Sequence, residues 1–476
     1  MNYERDFTLT IGGKGVAGAT VFPVINPATG EAFAEAPDCS RAQLDEAVAA
    51  ARKAFPAWRA TPIEERRQKL LAIAGAIAEH GDGLKRLLTR EQGKPHVDAE
   101  GDVMGGAFWC SETAKLDLPV TINEDTEERH SETRHVPLGV VGAIAPWNFP
   151  IVLAMFKVAP GLLAGNTMVL KPSPFTPLTT LKIGEILRDV LPPGVLNVVS
   201  GGDSLGPWMT SHPGIDKVSF TGSTQTGRKV MASASETLKR VTLELGGNDA
   251  AIVLPDVDIE KTAEEIFWAA FRNAGQICIA AKRVYVHKDI YEPFKQALVA
   301  YAQSVKVGDG SEQGTQIGPI QNHPQYRRVL ELIADAKAKG YKFLIGGEGA
   351  QKPGYFAPIS IIDNPPDDSR IVREEQFGPV LPLLKFDTAD EAVARANDSE
   401  YGLGASVWSS DVAQARQIAD RLEAGNVWIN EVQYVMPNAV FGGHKNSGIG
   451  GEGGVDGLLE YTNAQTITIK KRPAAA

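Results

Sequence analysis

Apolar positions near the N-terminus recur at helical spacing. The first such set is Leu44, Val48, Ala51 and Phe55. Spacings of three and four residues place these side chains on one face, which predicts an amphipathic helix. A second helix is predicted to begin at Thr61, with Thr61 as the N-cap, Pro62 at the first helical position and Glu64 at the third. Neither helix carries residues that indicate chemistry.

From residue 138 onwards, short apolar runs alternate with helical segments and end in loops rich in Pro, Gly, Ser and Asn. The runs cover residues 138–145, 167–170, 217–220, 241–244 and 249–254. Strands that alternate with helices are typical of parallel sheets, so an α/β fold is predicted. Open parallel sheets bind ligands beyond the carboxyl ends of their strands. The loops after these runs are therefore the predicted place for a functional site.

Two further segments alternate polar and apolar residues. Residues 129–136 and 466–471 are predicted to be strands outside the main cores, and the second has one face available for pairing. The apolar run at 249–254 is predicted to open a second αβ domain that extends to roughly residue 445.

The composition narrows the classes of function. The 476 residues are 43% hydrophobic and 22% charged, which is ordinary globular composition, and they suffice for two or three domains. A formal net charge of −10 without a long basic cluster argues against a nucleic-acid partner. No apolar run reaches membrane-spanning length, and the N-terminus lacks the regions of a secretory signal. We therefore expect a cytoplasmic protein with no membrane partner.

The cysteines are few and widely separated. Cys39, Cys110 and Cys278 are three in number, which argues against a disulfide framework and favours a reducing compartment. Neither they nor the eight histidines show zinc-ligand spacing, so no metal site is expected. Cys39 and Cys110 lie outside every motif and are predicted to be structural thiols.

Cys278 has a more informative setting. It ends the segment 271–278, a helical run that closes in a turn of small and polar residues. Upstream, Glu244 ends an apolar strand and is followed by Leu-Gly-Gly. A thiol nucleophile and a separate carboxylate that can activate water are the minimum for making and then hydrolysing a thioester. Taken alone, Cys278 is weak evidence of catalysis, because most cysteines in a protein of this size are small buried hydrophobic residues.

A glycine-containing turn at 221–227 is the predicted phosphate site. It follows a strand and leads into a predicted helix at 228–236, so its free N–H groups favour an anion and Ser223 can cap the helix. The alternative is an ordinary capped turn. Lys171, beyond another strand, is a donor to ribose hydroxyls or else a solvated surface lysine. The G-x-G-x-x-G pattern at 448–453 has no strand before it and is interpreted as a glycine-rich loop.

Seven motifs occur along the chain in a fixed order. They are PWNFP (146–150), KPS (171–173), FTGST (220–224) with Gly227, ELGG (244–247), GQIC (275–278), EEQFGP (374–379) and FGGHKNSG (441–448). In content and order they resemble the motifs of the aldehyde dehydrogenase superfamily, and the resemblance covers nearly the whole chain.

The resemblance implies a fold of three parts and an oligomer. It implies a Rossmann-like cofactor domain (1–121 and 138–246), an αβ catalytic domain (247–445) and a small strand-built oligomerisation domain (122–137 and 460–476). Members of the family are usually dimers or tetramers in which the extra strands extend a neighbour's sheet. A homodimer or a homotetramer is therefore expected.

The resemblance also implies the chemistry. Cys278 would attack the carbonyl of a small-molecule aldehyde, while the Asn148 amide and the Cys278 N–H hold the oxyanion. Hydride would pass to NAD or NADP, and Glu244 would activate water to release a carboxylic acid.

The implied cofactor contacts are carried over residue by residue. Lys171 and Glu375 resemble the residues that hold the two ribose rings, and Phe377 resembles the one that packs against the nicotinamide. Near the pyrophosphate and along the same cleft, the predicted set adds Gly222, Ser223, Ile144, Pro146, Trp147, Ser173, Gly227 and Leu245, with Lys157 in support. Trp147 and Phe377 have core packing as their alternative, and Glu375 has a surface charge.

Two positions depart from common patterns of the family. Pro174 stands where NAD-preferring members often carry a glutamate that repels a 2′-phosphate, so the choice between NAD and NADP stays open. Arg272 resembles one arginine of the carboxylate clamp of succinic-semialdehyde members, but Phe156 occupies the position of the second. An arginine in a local ion pair is the alternative.

A neutral apolar or aromatic aldehyde is the expected substrate. The predicted substrate residues are Phe149, Leu153, Phe156, Arg272, Tyr434 and Phe441, with Trp268 and Met436 as further tunnel candidates. Their aromatic content favours an apolar aldehyde. The alternatives are a carboxylate-bearing semialdehyde, transfer of the acyl group to a thiol, and a catalytically silent member of the fold. Glu244 counts against the second, and the complete set of Cys278, Glu244 and Asn148 counts against the third.

Overall fold

The structure is a computed structural model that describes residues 1–348 and 353–471. Its helices are Arg41–Ala60 (α1), Ile63–Glu79 (α2), Gly81–Gln92 (α3), His96–Thr113 (α4), Val152–Leu163 (α5), Leu178–Ile186 (α6), Leu205–Ser211 (α7), Thr224–Ser235 (α8), Ile259–Phe271 (α9), Tyr291–Ser304 (α10), His323–Ala338 (α11), Arg370–Arg373 (α12), Ala389–Asn397 (α13), Val412–Ala419 (α14) and Gly454–Leu459 (α15). Short 3₁₀ turns occupy Leu187–Asp189 and Arg272–Gly275.

The strands alternate with these helices along most of the chain. They are Leu9–Ile11 (β1), Lys14–Val16 (β2), Thr20–Asn26 (β3), Glu31–Asp38 (β4), Thr121–Asp125 (β5), Arg129–Pro137 (β6), Val140–Ile144 (β7), Thr167–Lys171 (β8), Leu196–Val198 (β9), Lys217–Thr221 (β10), Arg240–Glu244 (β11), Asp249–Val253 (β12), Ala281–His287 (β13), Phe343–Ile345 (β14), Ser360–Asp363 (β15), Val380–Phe386 (β16), Tyr401–Gly402 (β17), Gly404–Trp408 (β18), Asn426–Ile429 (β19), His444–Lys445 (β20), Gly448–Ile449 (β21) and Thr462–Lys470 (β22). The α/β class predicted from the alternation is confirmed.

An eight-stranded sheet has the order β2-β1-β9-β8-β7-β10-β11-β21. Its centre is parallel from β9 to β11, as the apolar runs predict, whereas the strands at both edges are antiparallel. The edge strands are two or three residues long and carry no extended apolar run, so they left no clear signal in the sequence. In β7 all five residues are buried, which fits a strand covered on both faces.

A seven-stranded sheet has the order β14-β15-β16-β13-β12-β18-β19 and is parallel except at β14. Alternate residues of β12 enter different cores, because successive side chains of a strand point to opposite faces. Ala250 and Ile252 join one apolar cluster, while Ala251 and Val253 join the other. Helices therefore cover both faces of this sheet.

A separate three-stranded sheet has the order β22-β6-β5. Strand β22 pairs with β6 over nine residues, from Thr462 opposite Pro137 to Lys470 opposite Arg129. The predicted segment at 466–471 thus begins four residues earlier than expected, since polar residues from Thr462 onwards extend the strand. Residues 472–476 of the predicted oligomerisation part lie outside the described residues.

The predicted start of the second helix is wrong by one position. Helix α1 begins with a capping box in which the Ser40 hydroxyl accepts from the Gln43 N–H at 3.2 Å and the Gln43 side chain accepts from the Ser40 N–H at 3.0 Å. Helix α2 instead has Pro62 at the N-cap and no side-chain cap. The Thr61 hydroxyl, predicted to cap α2, donates to the Ala57 carbonyl at the end of α1.

Across the described ranges, no helix is both long enough and apolar enough to cross a bilayer.

Candidate active site

One cleft collects the loops that follow the carboxyl ends of the parallel strands. Its cavity of about 410 Å³ is lined by Pro146, Trp147, Asn148, Leu153, Thr221, Gly222, Ser223, Thr224, Gln225, Leu245, Gly246, Cys278, Gln325, Arg328, Glu375, Phe377 and Tyr401. Ten of these residues belong to the set that the sequence predicts. Open parallel sheets bind ligands at this edge, so the placement agrees with the general rule.

A strained turn presents Cys278. After α9 ends, Asn273 and Ala274 adopt left-handed φ values of 52° and 55°, which are uncommon for residues with a side chain. Buried hydrogen bonds hold the turn: the Asn273 amide donates to the Asn148 carbonyl at 3.2 Å, and the Gln276 amide donates to the Asn273 carbonyl at 2.7 Å. The turn therefore fixes Cys278 relative to Asn148.

Asn148 is buried beside the nucleophile. Its side-chain amide nitrogen donates to the Gln276 carbonyl at 3.0 Å, which uses one of its two N–H groups and fixes its orientation. The Asn148 carbonyl accepts from the Lys94 ammonium at 2.9 Å. Lys94 is fully buried, pairs with Asp102 at 3.0 Å and lies 3.7 Å from the centroid of the Phe149 ring. This ammonium anchors the backbone of the PWNFP motif, and nothing in the sequence pattern singled it out.

The Cys278 thiol is half-buried at the floor of the cleft. Its surroundings raise the pKa of the thiol to about 12, mainly because burial disfavours the thiolate. Lys282 opposes that rise, whereas Asp249, Glu375 and Glu244 add to it. Cys39 and Cys110 are buried, and burial raises the pKa of each to about 12 as well.

Glu244 lies at the end of β11, directly before the cleft residue Leu245. The carboxyl group is buried, and neither of its oxygens has a hydrogen-bond partner among the described residues. Burial is the main cause that raises the pKa of Glu244 well above its usual value, with Glu452 adding to the rise and Lys157 opposing it. The backbone of Glu244 pairs with Gly448, so the loop predicted from the G-x-G-x-x-G pattern closes the sheet beside this carboxylate.

Buried ion pairs lie behind Glu244. Lys157 and Glu452 pair at 2.5 Å with both side chains almost fully buried, so Lys157 is a neighbour of the candidate base. Lys217 donates to the Thr242 hydroxyl at 2.6 Å and lies 3.6 Å from Glu460, which is about one third exposed. Burial lowers the pKa of Lys217 to about 8.

The predicted phosphate turn begins a helix that is longer than expected. Helix α8 starts at Thr224, four residues before the predicted position, because Ser223 is its N-cap and accepts from the Thr226 N–H at 3.2 Å. The Gly222 N–H donates to the Glu244 carbonyl at 3.0 Å. Gly227 does not line the cleft; a Cβ there would lie 2.5 Å from the Leu245 side chain, so the glycine permits close packing of α8 on the cleft wall.

Glu375 and Phe377 face the same cleft from the loop before β16. One Glu375 oxygen accepts from the Gly247 N–H at 3.0 Å and lies 3.5 Å from Lys282. Phe377 meets Trp147 edge to face, with the ring centroids 5.3 Å apart. The Phe377 backbone has a left-handed φ of 48°, which is held by the Gln325 amide through bonds to the carbonyls of Gln376 and Phe377 at 2.9 and 3.0 Å.

Lys171 and Ser173 lie at the end of β8 and do not line the cavity described above. Lys171 is buried and donates to the Pro172 carbonyl at 3.2 Å, so the solvated-surface alternative is wrong. Burial lowers the pKa of Lys171 to about 8. Ser173 accepts from the Phe175 N–H at 3.3 Å, and Ile144 pairs with Lys171 across the sheet.

An apolar cluster surrounds the thiol. Its members are Ile277, Ile279, Ala280, Leu403 and Phe441, with Phe149, Cys278, Trp428 and Val435 packed against them. Phe149 and Phe441 were predicted near the substrate. Trp428 and Val435 were not predicted. Trp428 lies on β19, and an aromatic residue in a strand is typical of ordinary core packing.

Of the remaining substrate candidates, Leu153 lines the cleft, whereas Phe156, Tyr434, Trp268 and Arg272 do not. Phe156 is buried and stacks on Trp109, with ring centroids 3.4 Å apart. Tyr434 is 57% exposed, and Trp268 packs in a different apolar cluster, where it donates to the Tyr301 hydroxyl. The Arg272 side chain is half-exposed and pairs with Asp98 at 3.1 Å, so the local ion pair foreseen as its alternative is present.

Polar residues of α11 and β17 complete the cleft without having been predicted. Gln325 follows the Asn322 cap of α11, and Arg328 pairs with Glu374 at 3.0 Å and donates to the Glu375 carbonyl. Tyr401 comes from β17. These residues lie outside the seven motifs, so the sequence did not indicate that they line the cleft. Within the two described ranges, no group of three or more His, Cys, Asp or Glu side chains is placed to hold a metal ion.

Comparison with known proteins agrees with the fold. A sequence model described as "Aldehyde dehydrogenase family" matches residues 15–467. The cleft and the two sheets define an α/β oxidoreductase, and the chain belongs to the aldehyde dehydrogenase family as an NAD(P)-dependent aldehyde dehydrogenase.

Its relatives match over almost their full lengths. A "Probable aldehyde dehydrogenase" of a Pseudomonas species is 43% identical over 99% of this chain and 96% of its own. The phenylacetaldehyde dehydrogenase of Pseudomonas fluorescens is 41% identical over 94% of this chain and 92% of its own. The crystal structure of betaine aldehyde dehydrogenase from Staphylococcus aureus in complex with NAD⁺ is 34% identical, covers 99% of this chain and 96% of its own, and superposes with a TM-score of 0.95.

The buried Asp249 carboxyl near Lys282 yields a prediction on stability. Burial raises the pKa of Asp249 to about 7 from its usual 3.8, so the native state holds a proton that the unfolded chain has released between those pH values. Stability from this group is therefore lost as the pH rises from about 4 to 7. We expect Asp249→Asn to be more stable than the wild type at pH 8 by a few kcal/mol, at roughly 1.4 kcal/mol for each pKa unit.

Urea unfolding at pH 5 and pH 8 measures this difference. The gain should shrink at pH 5, and Asp368→Asn, which changes an exposed aspartate, serves as the control. An Asp249→Asn effect of equal size at both pH values would contradict the prediction.

Proposed function

We propose that this enzyme oxidises its aldehyde to a carboxylic acid through a covalent intermediate on Cys278, with Asn148 and the Cys278 N–H as oxyanion donors and Glu244 as the base for hydrolysis. The observation that carries the proposal is the shared cleft: Cys278 and Asn148 line it, and Glu244 directly precedes its wall residue Leu245. The three groups come from different elements of the fold.

Covalent catalysis begins at the thiol. The thiolate of Cys278 attacks the aldehyde carbon, and the carbonyl oxygen becomes the oxyanion of a thiohemiacetal. The Asn148 N–H that is not bonded to Gln276 is available for this oxyanion. A donor that is fixed before reaction contributes about 3 kcal/mol to the transition state.

The cleft fits a nicotinamide dinucleotide. Gly246 leaves open the space where a Cβ would collide with the Glu375 carboxylate, and the N-terminus of α8 offers N–H groups to a phosphate. Gly222 and Ser223 would hold the pyrophosphate, Glu375 a ribose, and Phe377 with Trp147 the nicotinamide face. Lys171 and Ser173, with Ile144 and Pro146, would hold the adenosine end. When bound, the cofactor accepts the hydride that leaves the thiohemiacetal carbon.

Glu244 serves the second half of the reaction. A thioester on Cys278 is released by water, and a carboxylate must take the proton of that water. The raised pKa of Glu244 means that its basic form is populated more as the pH rises. Hydrolysis should therefore accelerate with increasing pH.

A neutral apolar or aromatic aldehyde is the proposed substrate class. Phe149, Phe441 and the unpredicted Trp428 form an apolar lining at Cys278. Arg272 is already paired with Asp98, and Phe156 stacks on Trp109, so a two-arginine clamp for a carboxylate is incomplete. The 41% sequence identity to the phenylacetaldehyde dehydrogenase of Pseudomonas fluorescens supports the same class of substrate. A semialdehyde remains the competing substrate because Arg272 is half-exposed.

The domain division given above and a homodimer or homotetramer are part of the proposal. The β22-β6-β5 sheet supports it, since its strands stand apart from both large sheets and β5 leaves an edge to pair. The three unpaired thiols support a cytoplasmic location.

Two variants separate the two halves of the reaction. Cys278→Ala should abolish oxidation and leave cofactor binding nearly intact, because the thiol acts on the substrate.

Glu244→Gln should give a burst of about one NAD(P)H per active site and then a slow steady state, since hydride transfer precedes hydrolysis. Stopped-flow absorbance and cofactor titration measure both. A tenth of the wild-type turnover in Cys278→Ala would overturn the nucleophile assignment, and full inactivity of the wild type would favour a silent member of the fold.

Pro174 is predicted to permit NADP. Pro174→Glu should lower affinity for NADP more than for NAD, because the new carboxylate repels a 2′-phosphate and accepts from a 2′-hydroxyl. At a partly exposed site, repulsion of about 1–3 kcal/mol is expected when the charges are ~4–6 Å apart. Titration of both cofactors measures the difference, and Pro174→Gln is the neutral control. Equal changes for the two cofactors would place the adenosine ribose elsewhere.

Arg272 provides the test of substrate class. Arg272→Leu should change kcat/KM for succinic semialdehyde by less than about tenfold, or roughly 1.4 kcal/mol, because Asp98 already pairs with the guanidinium. The wild type should prefer benzaldehyde-like substrates over succinic semialdehyde. Rates with both aldehydes in both proteins measure this, and a hundredfold loss confined to the charged aldehyde would favour the semialdehyde function.

A further inference from the structure

A buried lysine stands directly behind the candidate nucleophile. Lys282 lies at the start of β13, four residues after Cys278, and its side chain is 3% exposed. Its ammonium donates to the carbonyl oxygen of Cys278 at 2.5 Å. A charge-assisted hydrogen bond of this kind fixes the peptide to which the nucleophile belongs. Lys282 belongs to none of the seven motifs and had no predicted role.

Carboxylates outnumber cations around the Cys278 thiol. Glu375 lies 3.5 Å from Lys282, and Asp249 of β12 acts on Cys278 together with Glu375 and with Glu244 of β11. All three carboxylates disfavour a negative charge on the sulfur, while Lys282 favours one. The next residue, Arg283, is turned away, with its guanidinium bonded to the carbonyls of Asn248, Arg395 and Ala396.

We propose that Lys282 is a positioning residue for Cys278, which holds the carbonyl of the nucleophile and supplies the buried positive charge that favours its thiolate. The proposal rests on the proposed function in taking Cys278 as the nucleophile. Glu375, a candidate cofactor contact, lies 3.5 Å from the same ammonium. Lys282 therefore interacts both with the peptide of the nucleophile and with a residue of the cofactor cleft.

Alkylation of Cys278 tests the proposal without any aldehyde or cofactor. Iodoacetamide reacts with the thiolate, and mass spectrometry of the Cys278 peptide gives its rate from pH 6 to 10. Lys282→Met should displace the rate profile to higher pH and slow alkylation about threefold to tenfold at a fixed pH, because the loss of thiolate outweighs the greater basicity of the sulfur. Lys282→Arg should stay within about twofold of the wild type, since it keeps the charge.

A matched control removes a different buried ammonium. Lys182 is 1% exposed, pairs with Glu185 at 2.8 Å and is not among the residues that line the cleft. Lys182→Met should leave the alkylation profile unchanged. Far-ultraviolet circular dichroism and the melting temperature of each variant show whether it is folded.

A second variant, expected to shift the alkylation profile in the opposite direction, tests the proposal even if Lys282→Met does not fold. Glu375→Gln retains an oxygen for the Gly247 N–H but removes a charge that opposes the thiolate and competes for Lys282. Its profile should move to lower pH, with alkylation at least about twofold faster at a fixed pH. Profiles of Lys282→Met or Glu375→Gln that coincide with the wild type would overturn the proposal. Activity retained by Cys278→Ala would instead refute the proposed function while the alkylation result stands.

Discussion

The cleft depends on one short covalent crossing between two sheets. Strand β11 ends at Glu244 in the first sheet, and β12 begins at Asp249 in the second. The intervening residues 245–248 pass so close to the Glu375 loop that a side chain at Gly246 would collide with the carboxylate. Because the crossing is short, the candidate base on one sheet and the groups behind the thiol on the other are held at a fixed separation. The proposed site for substrate and cofactor lies where the two sheets adjoin.

This arrangement places several ionisable groups out of contact with water. Desolvation disfavours buried charged groups unless they are paired. In this structure Lys94 pairs with Asp102, Lys157 with Glu452, and Lys282 with Glu375. Two of these ammonium groups also donate to the backbone carbonyls of Asn148 and Cys278. Pairing thus does two things at once, since it neutralises a buried charge and fixes a peptide beside the reacting atoms. Glu244 differs from these groups, because neither of its carboxylate oxygens has a hydrogen-bond partner within the described part of the chain.

The sequence predicted the long, strongly apolar elements well and the long-range contacts poorly. The parallel strands β7, β8, β10 and β12 were foreseen within two residues at each end, because their apolar runs end at distinct polar loops. The antiparallel edges were not, since two- and three-residue strands carry no periodicity. Lys94, Lys282 and Gln325 were missed because their importance comes from a partner distant in sequence or from burial. The roles given to Cys278, Glu244 and Asn148 came from motifs, and the structure adds that Cys278 and Asn148 line one cleft while Glu244 precedes its wall residue Leu245.

The left-handed backbone at Phe377 has a consequence for how the enzyme loses function on heating. A bulky residue in this conformation stores about 1–3 kcal/mol, and here the amide of Gln325 holds it in place through two carbonyls. A strained segment held by few bonds opens with less free energy than the packed sheets need to unfold. The loop that carries Glu375 and Phe377 would then relax while the two cores are still intact, so thermal inactivation would begin as a local, reversible loss of cofactor affinity and would precede the melting of the fold.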